Sequence, residues 1–77
     1  MKSREYRAAR ESLGWTHAQI AATLGVAQST PYRYANGSVD IPEPAARLLR
    51  LLVLLHLTTG ARRFKELVDE LRAGAKQ

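Results

Sequence analysis

The chain has 77 residues, 45% of them hydrophobic, with no cysteine and with twelve Lys and Arg against seven acids, a formal net charge of +5. A chain of this length makes one small domain, the missing cysteines exclude a disulfide framework and a thiolate metal site, and the basic balance (pI near 10.3) favours an anionic partner, nucleic acid first. The longest aliphatic run, residues 51–55, falls far short of the roughly 20 residues that span a bilayer. The charged N-terminus lacks the apolar stretch of a secretory signal, so a soluble cytoplasmic protein with no membrane partner is expected.

Apolar residues recur at three and four throughout and no stretch alternates strictly, so the pattern predicts an all-α fold of five helices. Ser3 is placed as the cap of a first helix that runs to about Leu13, with Tyr6, Ala9, Arg10 and Leu13 inward and Gly14 closing it. Thr16 followed by Gln19 fits a capping box, with Trp15 and Ile20 at the flanking staple positions. The second helix spans His17 to Leu24 and stops before Gly25. The third starts near Gln28 or near Thr30 and ends at Asn36-Gly37, a turn pair that tolerates positive φ.

Pro42 and Pro44 both fall in the first turn of a fourth helix, where a missing amide removes no intrahelical bond. That helix reads to Leu57, and Thr58-Thr59-Gly60 breaks the chain after it. A fifth helix from about Ala61 to Arg72 shows Phe64, Leu67, Val68 and Leu71 in one stripe, and Gly74 to Gln77 are expected to fray. With no repeat, linker or low-complexity tract, residues 1–77 read as a single domain.

Residues 17–36 carry the spacing of a helix-turn-helix. Counted from His17, the unit needs an apolar residue fourth, a small one fifth and a left-handed one ninth, and Ile20, Ala21 and Gly25 supply them. Ala21 lies where two helices cross at close quarters, so a larger side chain would force them apart. Gly25 ends the first helix in the left-handed region, which costs other residues energy. Leu24, Val26 and Tyr34 are expected in the shared interior.

With Gly14-Trp15-Thr16, Ala21, Gly25-Val26, Gln28-Ser29-Thr30 and Asn36-Gly37 in register, the chain resembles the lambda-repressor-like, Cro/C1-type (XRE) helix-turn-helix regulators over roughly residues 4–57. The resemblance implies a five-helix DNA-binding domain whose third helix enters the major groove, usually as a homodimeric repressor. Residues 58–77 would then be a C-terminal helix for packing or dimerisation.

A recognition helix reads bases with residues near its N-terminus, here Gln28, Ser29, Thr30, Tyr32 and Arg33. The carboxamide of Gln28 can bond adenine N6 and N7 together. Ser29 and Thr30 can donate to phosphate or bases, Tyr32 can reach phosphate, and Arg33 can reach guanine or backbone. His17 stands where relatives often place a glutamine that bonds phosphate and braces the residue at position 28, and a histidine can make the same phosphate contact. Lys2, Arg4 and Arg7 read mainly as a solvated face, and Tyr34, Trp15 and His56 as packed side chains.

Two positions depart from that pattern. Pro31 stands where relatives carry a buried aliphatic residue. Either the helix starts late, with Thr30 as cap and Pro31 at its first position, or its first turn is distorted. Ala35 replaces a glutamate that pairs with the arginine at the position of Arg10, so Arg10 needs another acceptor, an ion-pair partner or a carbonyl.

The fourth helix holds eight large aliphatics in the ten positions from Leu48 to Leu57. A helix apolar all round is buried all round, and one small domain cannot cover that much surface. A homodimer interface through helices four and five is expected, and a toxin or other protein partner for the same leucines is the alternative. Two isolated histidines, no paired carboxylates and no Gly-rich phosphate loop leave nothing for an enzyme or a cofactor site.

Overall fold

The helix boundaries follow from where terminal backbone groups find local partners. In the computed structural model, which describes residues 1–74, the helices are α1 (Ser3–Leu13), α2 (His17–Leu24), α3 (Thr30–Asn36), α4 (Glu43–Thr59) and α5 (Ala61–Gly74), with no strand among the described residues. At the start of α2 the Thr16 hydroxyl accepts from the Gln19 amide at 3.2 Å and the Gln19 carboxamide accepts from the Thr16 amide at 2.8 Å. This is the expected capping box, with two otherwise unpaired donors satisfied at once.

The first three helices end in one way. Gly14, Gly25 and Gly37 take φ of 70°, 74° and 78°. The following amide then bonds the carbonyl five residues back: Trp15 to Arg10 at 3.3 Å, Val26 to Ala21 at 3.1 Å and Ser38 to Arg33 at 3.0 Å. A Cβ at Gly25 would meet nothing within 4 Å, so the backbone angle alone demands glycine there.

Several boundaries differ from the sequence reading. Helix α1 is capped by Lys2 and not by Ser3: the Glu5 carboxylate accepts from the Lys2 backbone N–H at 3.1 Å, and the Tyr6 amide bonds the Lys2 carbonyl. That acceptor lets the helix begin one residue early. Pro42 occupies the cap of α4, one place before its first turn, while Pro44 lies within that turn. Thr58 and Thr59 do not break α4, because their hydroxyls bond back to the Leu54 and Leu55 carbonyls at 2.8 and 2.6 Å. The chain turns at Gly60 alone. Helix α5 runs on through Gly74, so the fraying expected from that residue does not begin there, and residues 75–77 lie outside the described region.

The start of α3 resolves the ambiguity at Pro31. The Thr30 amide bonds the Ala27 carbonyl at 3.0 Å, closing a turn over Gln28 and Ser29. The helix starts late, but one residue earlier than expected: Ser29 and not Thr30 is its cap, and Pro31 is its second residue and not its first. An amide at that place has no intrahelical acceptor, so the proline forfeits nothing. Its ring is fully buried.

Helix α1 packs on α3 and α4, α2 packs on α3 and α5, and α4 packs on α5. Tyr6, Ile20, Ala46 and Leu49 at the centre have no accessible surface, and Ala21 almost none. Each fully buried large side chain contributes about 1.5–3 kcal/mol. Tyr34 is buried as expected, whereas Leu24 and Val26 are only half-buried, because they sit at the rim where α2 turns into α3. Helix α4 is not buried all round. Ala46, Leu49 and Leu52 face the core, while Leu51, Leu54 and Leu57 are 51%, 59% and 71% exposed.

Candidate nucleic-acid interface

Helix α3 has two faces of opposite character. Pro31 and Tyr34 are buried, and between them they seat the helix on the core. Ser29, Tyr32, Arg33 and Asn36, at i, i+3, i+4 and i+7, are all exposed, the spacing of one stripe on a helix surface. Gln28 is exposed beside them and Thr30 is half-buried. Because α3 begins at Thr30, Tyr32 and Arg33 project from the helix itself, while Gln28 and Ser29 are carried on the turn that leads into it.

His17 sits at the first position of α2, against this row. Its ring lies 4.2 Å from that of Tyr32, tilted by 43°, and its Nδ1 is 2.9 Å from the Tyr6 hydroxyl. The buried phenol has that nitrogen as its partner, so the hydroxyl donates and Nδ1 accepts. The free ring donor is then Nε2–H. Burial lowers the His17 pKa, and the Arg10 charge adds to the effect, which favours the neutral ring that this bond requires.

Arg10 finds its acceptor in the Trp15 carbonyl, at 2.9 Å from one terminal nitrogen. Among the described residues no carboxylate pairs with it. The ion pair seen as one possibility is thus replaced by a bond to the loop between α1 and α2, which holds the entry to the helix-turn-helix in place. The position of Ala35 is served from elsewhere: the Arg7 guanidinium donates to the Ala35 carbonyl at 2.6 Å, tying α1 to the last turn of α3. Arg7 therefore leaves the solvated face on which Lys2 and Arg4 remain. Asn36 accepts from the Ser38 amide at 2.8 Å and shapes the exit from α3.

The structure brings His17 and Tyr32 into contact and places Gln28, Ser29 and Arg33 on the exposed edge of the same unit. Sequence reasoning missed Tyr6 as the hydrogen-bond partner of His17 and Arg7 as a brace for α3. Neither has a local signal, since the partners are 11 and 28 residues away. The packed role of Trp15 and His56 is visible in the structure: Trp15 stacks on Phe64 with centroids 5.8 Å apart, and His56 lies 4.9 Å from the same ring.

Among the described residues no group of three or more His, Asp or Glu is placed to hold a metal ion, and no helix is long and apolar enough to cross a membrane. A family model described as a helix-turn-helix domain matches residues 3–64. No curated protein and no solved structure gave a significant match.

Proposed function

The chain belongs to the helix-turn-helix domain family, and we propose that it is a sequence-specific double-stranded DNA-binding regulator of the Cro/C1 type, a homodimeric repressor that reads the major groove with α3. The observation that carries this reading is the exposed row of Ser29, Tyr32 and Arg33 with Gln28 beside it, on a helix whose opposite face is anchored by Pro31 and Tyr34. The net charge of +5 suits a phosphate-rich partner.

In this reading Arg33 contacts guanine or backbone, and Gln28 presents its carboxamide to adenine from the turn before the helix, a pairing worth about 1–3 kcal/mol against a wrong base. Ser29 and Thr30 donate to phosphate or to bases. His17 offers its Nε2–H to phosphate from the N-terminus of α2, where the helix dipole and free amides also favour an anion. Phosphate contacts fix register, and base contacts supply specificity.

Dimerisation is supported by the unpartnered outer face of α4, where Leu51, Leu54 and Leu57 follow one another along the helix. Leu51 continues into an apolar groove against Leu67 and Leu71 of α5. Two recognition helices related by a two-fold axis read a palindrome with half-sites about 10 bp apart. The test is selection from a random duplex pool with the full chain. An inverted repeat should emerge, bound with a steep loss of affinity as salt rises, and an unenriched pool would refute sequence-specific binding. Gln28→Ala should relax preference at one base pair of each half-site. A uniform loss at every position would reassign that side chain to phosphate.

A further inference from the structure

The aromatic side chains where α1, α2 and α3 meet form one continuous stack that starts in the core and ends in the exposed row of α3. Tyr34 meets Tyr6 edge-on, with centroids 5.8 Å apart and planes at 70°. Tyr6 lies nearly parallel to His17 at 6.0 Å and holds its Nδ1 by the hydroxyl at 2.9 Å. His17 in turn meets Tyr32 at 4.2 Å. Tyr6 and Tyr34 are buried, His17 is half-buried and Tyr32 is 59% exposed. Exposure thus rises from Tyr6 through His17 to Tyr32.

An exposed tyrosine ordinarily samples several rotamers. Here the ring rests on an imidazole that is itself fixed to a buried phenol, so much of that freedom is lost before any ligand arrives, which lowers the entropic cost of binding through it. Among the described residues His17 makes no hydrogen bond to Gln28; its contacts go to Tyr6 and Tyr32. Position 17 therefore supports position 32. A phosphate contact needs only a polar tip, whereas a seated ring with more than half its surface open offers apolar area. In the major groove the apolar feature that distinguishes one base from the others is the thymine C5-methyl group.

We propose that Tyr32 is a fixed apolar reader of a thymine methyl group, and that Tyr6 and His17 are positioning residues that hold it. This rests on the DNA-reading function proposed above and adds a property of the target: one thymine in each half-site is recognised through its methyl. No further group is needed on the protein, since the contact is made by the ring alone.

The experiment replaces each thymine of the selected operator singly by deoxyuridine, which removes the methyl and leaves every hydrogen-bonding group unchanged. Binding of the full chain should weaken about three- to fourfold at one position of each half-site, the effect of burying one methyl group, and nowhere else to that extent. Tyr32→Ala should abolish the difference between the two duplexes. Tyr6→Phe, which keeps the buried ring, should shrink that difference while affinity for the uridine duplex stays within about twofold, a pattern that general loss of folding would not produce. His17→Ala should shrink it too, on top of an equal loss to both duplexes from its missing phosphate contact. A flat uridine scan, or an operator with no thymine in its half-sites, overturns the proposal. So does a Tyr32→Phe variant that binds all duplexes uniformly more weakly, since the hydroxyl would then be on phosphate. Failure to enrich any operator overturns the DNA reading itself, whereas an operator with a flat scan overturns only the role of Tyr32.

Discussion

Tyr6 has no accessible surface, and burial pushes its hydroxyl up to about 12, the neighbouring Arg10 opposing the rise and Tyr34 and Tyr32 adding to it. An unfolded tyrosine ionises near 10. Between pH 10 and 12 the unfolded chain thus releases a proton that the folded chain keeps. The stability associated with Tyr6 is fully present below pH 10 and is lost as the pH rises through 12. His17 works in the opposite window. Its pKa is lowered by burial first and by Arg10 second, so on acidification below about 6.5 the unfolded chain takes up a proton before the folded one does, and stability falls. Urea midpoints measured from pH 5 to 12 should therefore show a plateau with a decline on each side. Tyr6→Phe should remove the alkaline decline, and an unchanged alkaline arm in that variant would show that another group causes it.

At the scale of elements, Arg72 supplies the side-chain hydrogen bonds from α5 to α2. The Arg72 Nε donates to the Thr23 hydroxyl at 2.9 Å and a terminal nitrogen donates to the Gln19 carbonyl at 3.4 Å. The guanidinium also lies 5.2 Å from the centre of the Trp15 ring. These contacts tie the last turns of α5 to α2 across 49 to 53 residues of sequence, beside the burial of Phe64 and Val68. The exposed pairs Arg47 with Glu43 and Arg63 with Glu66 are worth only about 0.2–1 kcal/mol each. Arg72 is partly buried and makes charge-assisted bonds to neutral acceptors, so Arg72→Ala should cost about 1–2 kcal/mol. Hydrogen exchange should quicken in α5 first, with α1 to α3 still protected. Uniform quickening through all five helices would mean that α5 does not open as a separate unit.

For the whole molecule, the outer face of α4 is where the proposed dimer is tested. Its inward stripe closes the core, and Leu51, Leu54 and Leu57 are exposed on its outer side. A single charge on that face discriminates between a thick-walled monomer and a dimer. Leu54→Glu changes a side chain that is 59% exposed, so the isolated fold should lose no more than about 0.5 kcal/mol. Sedimentation equilibrium should show the parent chain as a dimer and the variant as a monomer. A parent chain that sediments as a monomer at all concentrations would remove the two-fold symmetric reading of DNA.

Much of this architecture was legible residue by residue. The capping box at Thr16 and Gln19 and the left-handed stops at Gly14, Gly25 and Gly37 act over five residues or fewer, so local sequence suffices to set them. Gln28, Ser29, Thr30, Tyr32 and Arg33 were named as candidate contacts from their place near the start of the third helix in the helix-turn-helix register, and all but the half-buried Thr30 are exposed. Pro31 was ambiguous because a start at Gln28 would distort the first turn while a later start moves Gln28 off the helix. In the structure the Thr30 amide bonds the Ala27 carbonyl and the helix begins at Thr30 with the proline ring buried. The bond from Tyr6 to His17, the Arg7 brace on Ala35 and the Arg72 tie to Thr23 were decided only by tertiary structure. Local backbone bonding sets where a helix begins and ends, but partners 11 to 49 residues apart meet only when packing of the core fixes the angles and depths at which the helices cross.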